Sequence, residues 1–377
     1  MTRGRPCRIG VLLHDFALGG TERIAVRLAN AWAKEGADVT ILCGDPNGPL
    51  ATMVADTVHI RAMTPTVSRS RGSCRRLGRA VARALTDEPV DMLFIPGNYH
   101  WAAVPPIAAI DTGRPRIVAQ ISAALYKPQR GALRQFFFSR RMAHLLKGVD
   151  HLVAMDTVSM EQASAIVQGP ALHRIETPAL DDDLPPPVPT PAGPPTLIGI
   201  GRLVPEKGFA DLIDAFAKVR DKTARLIVAG SGPEERALKA LARNRGVAER
   251  VEFPGYVPDS RPWLDRAALF VLSSWFEGFP AVLIEAMAAG RRVVATDCTP
   301  AVTLFQARPG AGRIVPLRDS DDMAAAIDQM LEEPAPSPED IAAIVNAHRI
   351  GLVCRRYLLA AGIDLPSPRR PVGLVAD

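Results

Sequence analysis

The sequence is short of cysteine, of metal-ligand spacings and of long apolar runs, and each shortage excludes a class of protein. Its five cysteines, Cys7, Cys43, Cys74, Cys298 and Cys354, are odd in number, scattered, and never spaced as C-x-x-C. That distribution fits reduced thiols in a cytosolic protein rather than a disulfide frame or a zinc site. The seven histidines include no H-x-x-x-H pair, so no metal is expected. No apolar run reaches the roughly 18–20 residues needed to span a bilayer. The run from Ile9 to Leu13 stops at His14 and Asp15, so it reads as a strand and not as a signal peptide. The dinucleotide fingerprint G-x-G-x-x-G is missing too, and no acidic residue stands where that motif would need one.

What is present is ordinary globular composition, 47% apolar and 23% charged, over 377 residues. That length fits two domains and little disorder. A net charge of +5 suits an anionic ligand or membrane surface, although many cytosolic enzymes share it. No nucleic-acid-binding module is recognisable, so nucleic acid is not expected as a partner.

Short apolar strands alternate with helical stretches throughout, the pattern of parallel α/β units. The first half has strands at 8-RIGVLL-13, 38-DVTILC-43, 90-VDMLFIP-96, 116-RIVAQI-121 and 151-HLVAM-155. An amphipathic helix at 21–36 lies between the first two. Residues 183-DLPPPVPTPAGPP-195 are too rich in proline for helix or sheet and read as an interdomain linker. The second half restarts the rhythm with strands at 196-TLIGIG-201, 225-RLIVAG-230, 250-RVEFPG-255, 269–272 and 293–295. The expected architecture is two doubly wound Rossmann-like domains facing a cleft, at 1–182 and 196–345, followed by a helix and tail at 346–377. Ligands bind such sheets at the C-terminal ends of strands.

Three strand-end loops of the second half could carry chemistry. In 201-GRLVPEKGF-209, Arg202 and Lys207 share a loop that opens a helix at Gly208. Two cations beside helix N–H groups make a diphosphate site, and a solvated loop with two surface cations is the plainer alternative. In 230-GSGPEE-235, Gly230 and Gly232 permit close backbone approach but also describe a common turn. In 270-FVLSSWFEGFPAVLIEAMAAGRRVVAT-296, seven residues separate Glu277, in a loop, from Glu285, about a turn and a half into the next helix. Pro280 suits that helix's first turn and Gly290 its end. Such a pair suits a hydroxyl-rich ligand docked at a helix N-terminus. In the first half, Gly19 and Gly20 would let backbone approach an anion, with Thr21 as N-cap, or form a plain flexible turn. Two basic stretches, 68-SRSRGSCRRLGRAVAR-83 and 130-RGALRQFFFSRRMAHLLKG-148, suit an anionic membrane surface or a lipid-linked phosphate, and equally suit one solvated helix face each.

The motifs G-R-L-x-x-E-K-G-F, V-A-G-S-G-P and S-S-x-x-E-G-F-P-x-x-L-I-E-A-M-A-x-G-x-x-V-V-A-T-D occur in order across about residues 197–296, and G-G-T-E-R stands near the start. Together they resemble the family-4 retaining glycosyltransferases of the GT-B fold. The resemblance implies a final helix that crosses back to the N-terminal domain. It implies a nucleotide-diphosphate-sugar donor, such as a UDP- or GDP-sugar, and a carbohydrate or lipid-linked acceptor, without a metal. Arg202 and Lys207 would hold the diphosphate and stabilise the departing nucleotide, Glu277 the sugar hydroxyls, and Glu285 the ribose. Gly278, Phe279, Pro280, Ala281, Val282 and Leu283 would line the donor, with Gly230 and Gly232 nearby and Gly19 and Gly20 approaching from the other domain. Many relatives carry a histidine where Ser122 stands here, which makes Ser122 and His100 the acceptor-side candidates. The segment 297-DCTPAVTLFQA-307 also departs from the usual glycine-rich loop.

The expected setting is cytoplasmic, at the inner face of a membrane, in polysaccharide, lipopolysaccharide or glycolipid assembly. Two other readings share the fold: a nucleotide-sugar epimerase, and a non-catalytic nucleotide-sugar-binding partner protein.

Overall fold

Alternating strands and helices build two parallel sheets in the computed structural model, which describes residues 5–126, 131–306 and 308–364. Arg130 of the second basic stretch, Ala307, and the tail from 365 lie outside the described residues. The first unit comprises 1–178 and 350–377, and the second 179–349.

The first unit's strands are β1 (Arg8–Leu13), β2 (Asp38–Cys43), β3 (Val58–Ala62), β4 (Met92–Ile95), β5 (Arg116–Gln120), β6 (His151–Ala154) and β7 (Ala171–Arg174). Its helices are α1 (Gly20–Lys34), α2 (Ser73–Asp87), α3 (Gly97–His100), α4 (Val104–Ala108), α5 (Ala132–Leu146) and α6 (Thr157–Ile166). The sheet runs β3-β2-β1-β4-β5-β6-β7 with every pair parallel. Helices cover both faces, so a central strand such as β4 is buried at every position.

The second unit's strands are β8 (Thr196–Ile200), β9 (Arg225–Ala229), β10 (Val251–Gly255), β11 (Leu269–Leu272), β12 (Arg292–Thr296) and β13 (Gly312–Val315). Its helices are α7 (Phe209–Lys218), α8 (Glu235–Asn244), α9 (Arg261–Asp265), α10 (Ala281–Ala288), α11 (Thr303–Gln306), α12 (Ser320–Glu332) and α13 (Pro338–Ile344). This sheet runs β10-β9-β8-β11-β12-β13, again all parallel.

Strands β3, β7 and β13, which escape the sequence reading, are three of the four sheet edges; the fourth, β10, is legible as 250-RVEFPG-255. An edge strand is half solvated and carries polar residues, here His59 and Arg61, His173 and Arg174, and Arg313. The proline-rich stretch 183–195 belongs to the second unit and is strapped to it. Arg261 donates to the carbonyls of Pro185 and Pro186, and the buried Arg291 donates to that of Val188.

The helix expected within 346–377 is α14 (Ile350–Ala360), which belongs to the first unit, whereas α13 before it belongs to the second. Helix α14 packs on α1 through a three-ring cluster. The Tyr357 ring meets Phe94 and Trp32 edge-on at centroid distances of 5.4 and 6.1 Å. Trp32 Nε1–H donates to the Cys354 carbonyl at 3.1 Å, and the Gln120 amide donates to the Tyr357 hydroxyl at 2.9 Å. Arg355 pairs with Glu35 at 2.8 Å at the rim. Tyr357→Ala should therefore cost the first unit about 3–5 kcal/mol, from lost ring burial and a stranded Gln120 amide. Urea unfolding followed through Trp32 fluorescence measures it, and a loss under about 1 kcal/mol would mean that α14 is not part of this core.

Candidate functional site

A doubly wound sheet opens a crevice where its strand order reverses, because the loops leaving the two strands at that point diverge to opposite faces. In the second unit the reversal lies between β8 and β11. The loop after β8 carries Arg202 and Lys207, and the loop after β11 carries Glu277.

The two loops are joined by their functional side chains. Lys207 Nζ donates to Glu277 Oε1 at 2.5 Å, and Ser274 Oγ donates to the same oxygen at 2.8 Å. Both bonds fall on Oε1, so Oε2 keeps its lone pairs for another donor. Backbone bonds lock the pair in place: Ser273 Oγ donates to the Lys207 carbonyl at 2.9 Å, and Trp275 N to the Glu206 carbonyl at 2.8 Å. Gly208 is required here. It adopts φ +62°, and a Cβ would lie 2.0 Å from the Ser273 carbonyl oxygen.

Residues 296–299 brace the Glu277 loop from behind. Glu277 N donates to the Cys298 carbonyl at 3.0 Å, Thr299 Oγ1 to Gly278 O at 2.7 Å, and Thr296 Oγ1 to Ser274 O at 2.5 Å. Burial pushes the Cys298 thiol up to about 11, so it stays protonated and inert at neutral pH. Sequence reasoning noticed this segment only as a departure. Its hydroxyl spacing, Thr296 and Thr299 on either side of Cys298, was the available signal.

Helices α7 and α10, which leave these two loops, both begin without a side-chain cap. No side chain therefore neutralises their positive dipole ends, although Leu283 N donates to the Pro280 carbonyl at 3.2 Å. Pro280 is the N-cap of α10 rather than a residue of its first turn. Glu285 lies on α10, where its Oε2 accepts from Ser260 Oγ at 2.6 Å. Arg202 extends into solvent, its side chain 70% exposed, 3.7 Å from Glu206. The Phe279 ring packs against His348 at 5.5 Å, Leu283 is buried, and Ala281 and Val282 are partly exposed. Gly230 and Gly232 face the preceding loop. A Cβ on them would meet the carbonyl oxygens of Gly201 at 1.8 Å and Leu203 at 2.3 Å. Their role in the free protein is thus to let the loop holding Arg202 pack closely.

In the first unit the order reverses between β1 and β4, and a polar cluster fills the strand ends there. Arg69 NH2 donates to Asp15 Oδ1 and Glu22 Oε1, each at 2.8 Å, and its guanidinium lies 4.9 Å from the Tyr99 ring centroid. The N-cap of α1 is Gly19, without a side-chain cap, and not Thr21. Thr21 instead turns its methyl toward Gly97, 2.7 Å from where a Cβ would sit. The Glu22 carboxylate folds back over Gly19, whereas the space beside Gly20 is open. Asp15, Arg69 and Tyr99 were missed because no single segment holds them.

His100 is fully buried. Its Nε2 accepts from the His14 N–H at 3.2 Å, which leaves the proton on Nδ1, facing the Pro96 carbonyl at 2.6 Å. Burial, against a weaker opposing pull from Glu22, pushes its pKa down to about 4. With both nitrogens engaged it holds the turn after β4 and presents no atom to a ligand. Ser122 also ties backbone: its Oγ accepts from Asn98 N at 3.2 Å, and its own N–H donates to Asn98 Oδ1 at 2.9 Å. A Cβ on Gly97 would lie 2.5 Å from Ser122 Oγ, so position 97 has no room for a side chain beside Ser122.

Two Rossmann-like units, the first completed by the C-terminal helix α14, fit the GT-B class. Residues 19–179 match the family model "Glycosyl transferase 4-like domain", and residues 194–333 match "Glycosyl transferases group 1". Between them the models span most of the chain, which is a GT-B protein of the family-4-like glycosyltransferases. It is 35% identical over 144 residues to the lipopolysaccharide core biosynthesis glycosyltransferase LpsE of Rhizobium meliloti, covering 38% of this chain and 42% of that protein. A glycosyltransferase of Haemophilus influenzae is 23% identical over 354 residues, 87% of this chain and 91% of its own. Among solved structures, Anabaena Alr3699/HepE in complex with UDP and glucose superposes with a TM-score of 0.76 at 19% identity, covering 94% of this chain and 99% of that one.

The buried His100 sets a pH dependence. The unfolded chain takes up a proton near the ordinary histidine value of 6.5, and the folded chain only near 4. Stability is therefore full above about pH 6.5 and falls as pH drops toward 4, and His14, also lowered by burial, acts with the same sign. Thermal unfolding of His100→Gln should lose less between pH 7 and 5 than the wild type. Equal losses would contradict the assignment.

Proposed function

We propose that this protein is a retaining glycosyltransferase that moves a sugar from a nucleotide-diphosphate donor to an acceptor hydroxyl. The observation that carries the proposal is the contact of Lys207 with Glu277 at the switch point of the second sheet, between two helices with uncapped N-termini. An ammonium has three donors, and one is spent on Glu277. The others can reach a diphosphate lying over the start of α10, where the helix end adds positive potential. Glu277 Oε2, free of these bonds, can accept from a sugar hydroxyl, and Glu285 on α10 from a ribose hydroxyl. Arg202, solvated in the free protein, would fold onto the phosphates when they arrive.

In this reading catalysis is electrostatic. Charge develops on the departing phosphate, and Lys207, Arg202 and the α10 N–H groups stabilise it without any proton transfer from protein. The leaving phosphate itself would assist attack from the same face, which retains configuration, and no metal is required. The relatives support the setting: LpsE is named for lipopolysaccharide core biosynthesis, and HepE was solved with UDP and glucose. An acceptor in polysaccharide, lipopolysaccharide or glycolipid assembly follows, with the reaction on the cytoplasmic side of the membrane.

A thermal-shift panel of UDP-, GDP-, ADP- and TDP-sugars should identify one base, because bound donor stabilises the fold by mass action. With that donor, Lys207→Ala should lose about 1.5–3 kcal/mol of affinity, the range for a charge-assisted hydrogen bond. Glu285→Ala should weaken the free nucleoside diphosphate, and Glu277→Ala chiefly the discrimination among sugars. Calorimetry showing unchanged affinity in Lys207→Ala, or the reverse split between the glutamates, would overturn the site. Conversion of the donor to an epimer without any acceptor would favour an isomerase instead.

A further inference from the structure

Among the described residues, Arg318 is the one non-glycine residue with a positive φ, +59°. The left-handed region crowds a Cβ against the following carbonyl, so a turn that needs only this backbone is better served by glycine. A side chain kept there points to a use for that side chain. Arg318 lies between β13 and α12, and the next residue, Asp319, fixes the end of the turn. As N-cap of α12, its carboxylate accepts from the N–H groups of Asp321 and Asp322.

The Arg318 guanidinium carbon lies 3.9 Å from the Trp275 ring centroid. That is closer than Arg250 over Phe216 at 4.7 Å, or Arg266 over Trp263 at 4.8 Å. Among the described residues the guanidinium has no partner besides this ring. Trp275 in turn stands two residues before Glu277 and reaches the loop that holds Lys207. Its Nε1–H donates to Asp211 Oδ2 at 2.6 Å, in the first turn of α7, and its backbone N–H donates to the Glu206 carbonyl. The indole also lies beside Gly208, with Nε1 3.3 Å from where a Cβ would sit. One ring thus ties together the two loops that supply Lys207 and Glu277, and a third loop, through Arg318, covers that ring.

We propose that Arg318 is a positioning residue for the donor site. Stacked on Trp275, it holds the loops of Lys207 and Glu277 in register before a nucleoside diphosphate binds. This rests on the reading of that pair as the donor's contact. Loops already in register lose less freedom when ligand arrives, so loosening them weakens binding without removing any contact to the ligand. Arg318 acts through the indole, and the left-handed backbone is what aims its guanidinium at the ring.

Calorimetry of the full chain with UDP, GDP, ADP and TDP tests this. The wild type should bind one of the four best. Arg318→Gly should bind that nucleotide about three- to tenfold more weakly, with a larger entropy penalty. Its melting temperature should stay close to that of the wild type, because glycine relieves the left-handed backbone as it removes the ring contact. Trp275→Leu removes the ring, and in that background Arg318→Gly should cost almost nothing further. If Trp275→Leu does not fold, Trp275→Phe takes its place in the cycle and should shrink the Arg318→Gly loss. The proposal alone is overturned if Arg318→Gly binds as the wild type does, or if its loss is accompanied by a collapse in melting temperature. It is equally overturned if the two losses add in full, since Arg318 would then act on the ligand itself. A wild type that binds none of the four nucleotides overturns the reading of the site, and this proposal with it.

Discussion

The Lys207–Glu277 ion pair is the joint on which the second unit's site depends. Its partners come from loops that leave non-consecutive strands, β8 and β11, and it forms only because the sheet reverses direction between them. Around it the backbone is fixed by Ser273, Thr296 and Thr299, and by a glycine at 208 that no other residue could replace without collision. A preorganised charge of this kind stabilises a transition state at low reorganisation cost. The same pair also keeps each partner satisfied until a ligand arrives, which an isolated half-buried ammonium or carboxylate would not be.

The first unit treats its own reversal point differently. There Arg69 is shared between Asp15 and Glu22, and the buried imidazole of His100 is consumed in holding backbone. The open space beside Gly20 lies next to the Glu22 carboxylate, so an incoming anion would meet a helix end already faced by negative charge. Such an arrangement suits the reading of this unit as the acceptor side better than that of a second anion clamp.

Central strands and the helices between them were legible because their burial on both faces writes continuous apolar runs into the sequence. Edge strands β3, β7 and β13 were not, since half-solvated strands interrupt those runs with charge. Lys207, Glu277 and Glu285 could be picked out from motif order alone, but their bonding could not: Ser274 and Ser260 look like ordinary loop serines until the loops are folded together. Ser122 illustrates the converse. Sequence places it where many relatives have histidine, and only the fold reveals its reciprocal bonds with Asn98 and its close approach to Gly97. The proline-rich stretch 183–195 reads as an interdomain linker, and only the fold reveals the arginines that strap it down.

The central claim is that phosphate binds where Lys207 meets Glu277. A crystal structure of the chain with a bound nucleoside diphosphate tests it most directly. The account predicts the diphosphate over the start of α10 within hydrogen-bonding reach of Lys207 Nζ, with Arg202 swung in from solvent. A diphosphate seated elsewhere, with the Lys207–Glu277 contact untouched and Arg202 still solvated, would contradict it.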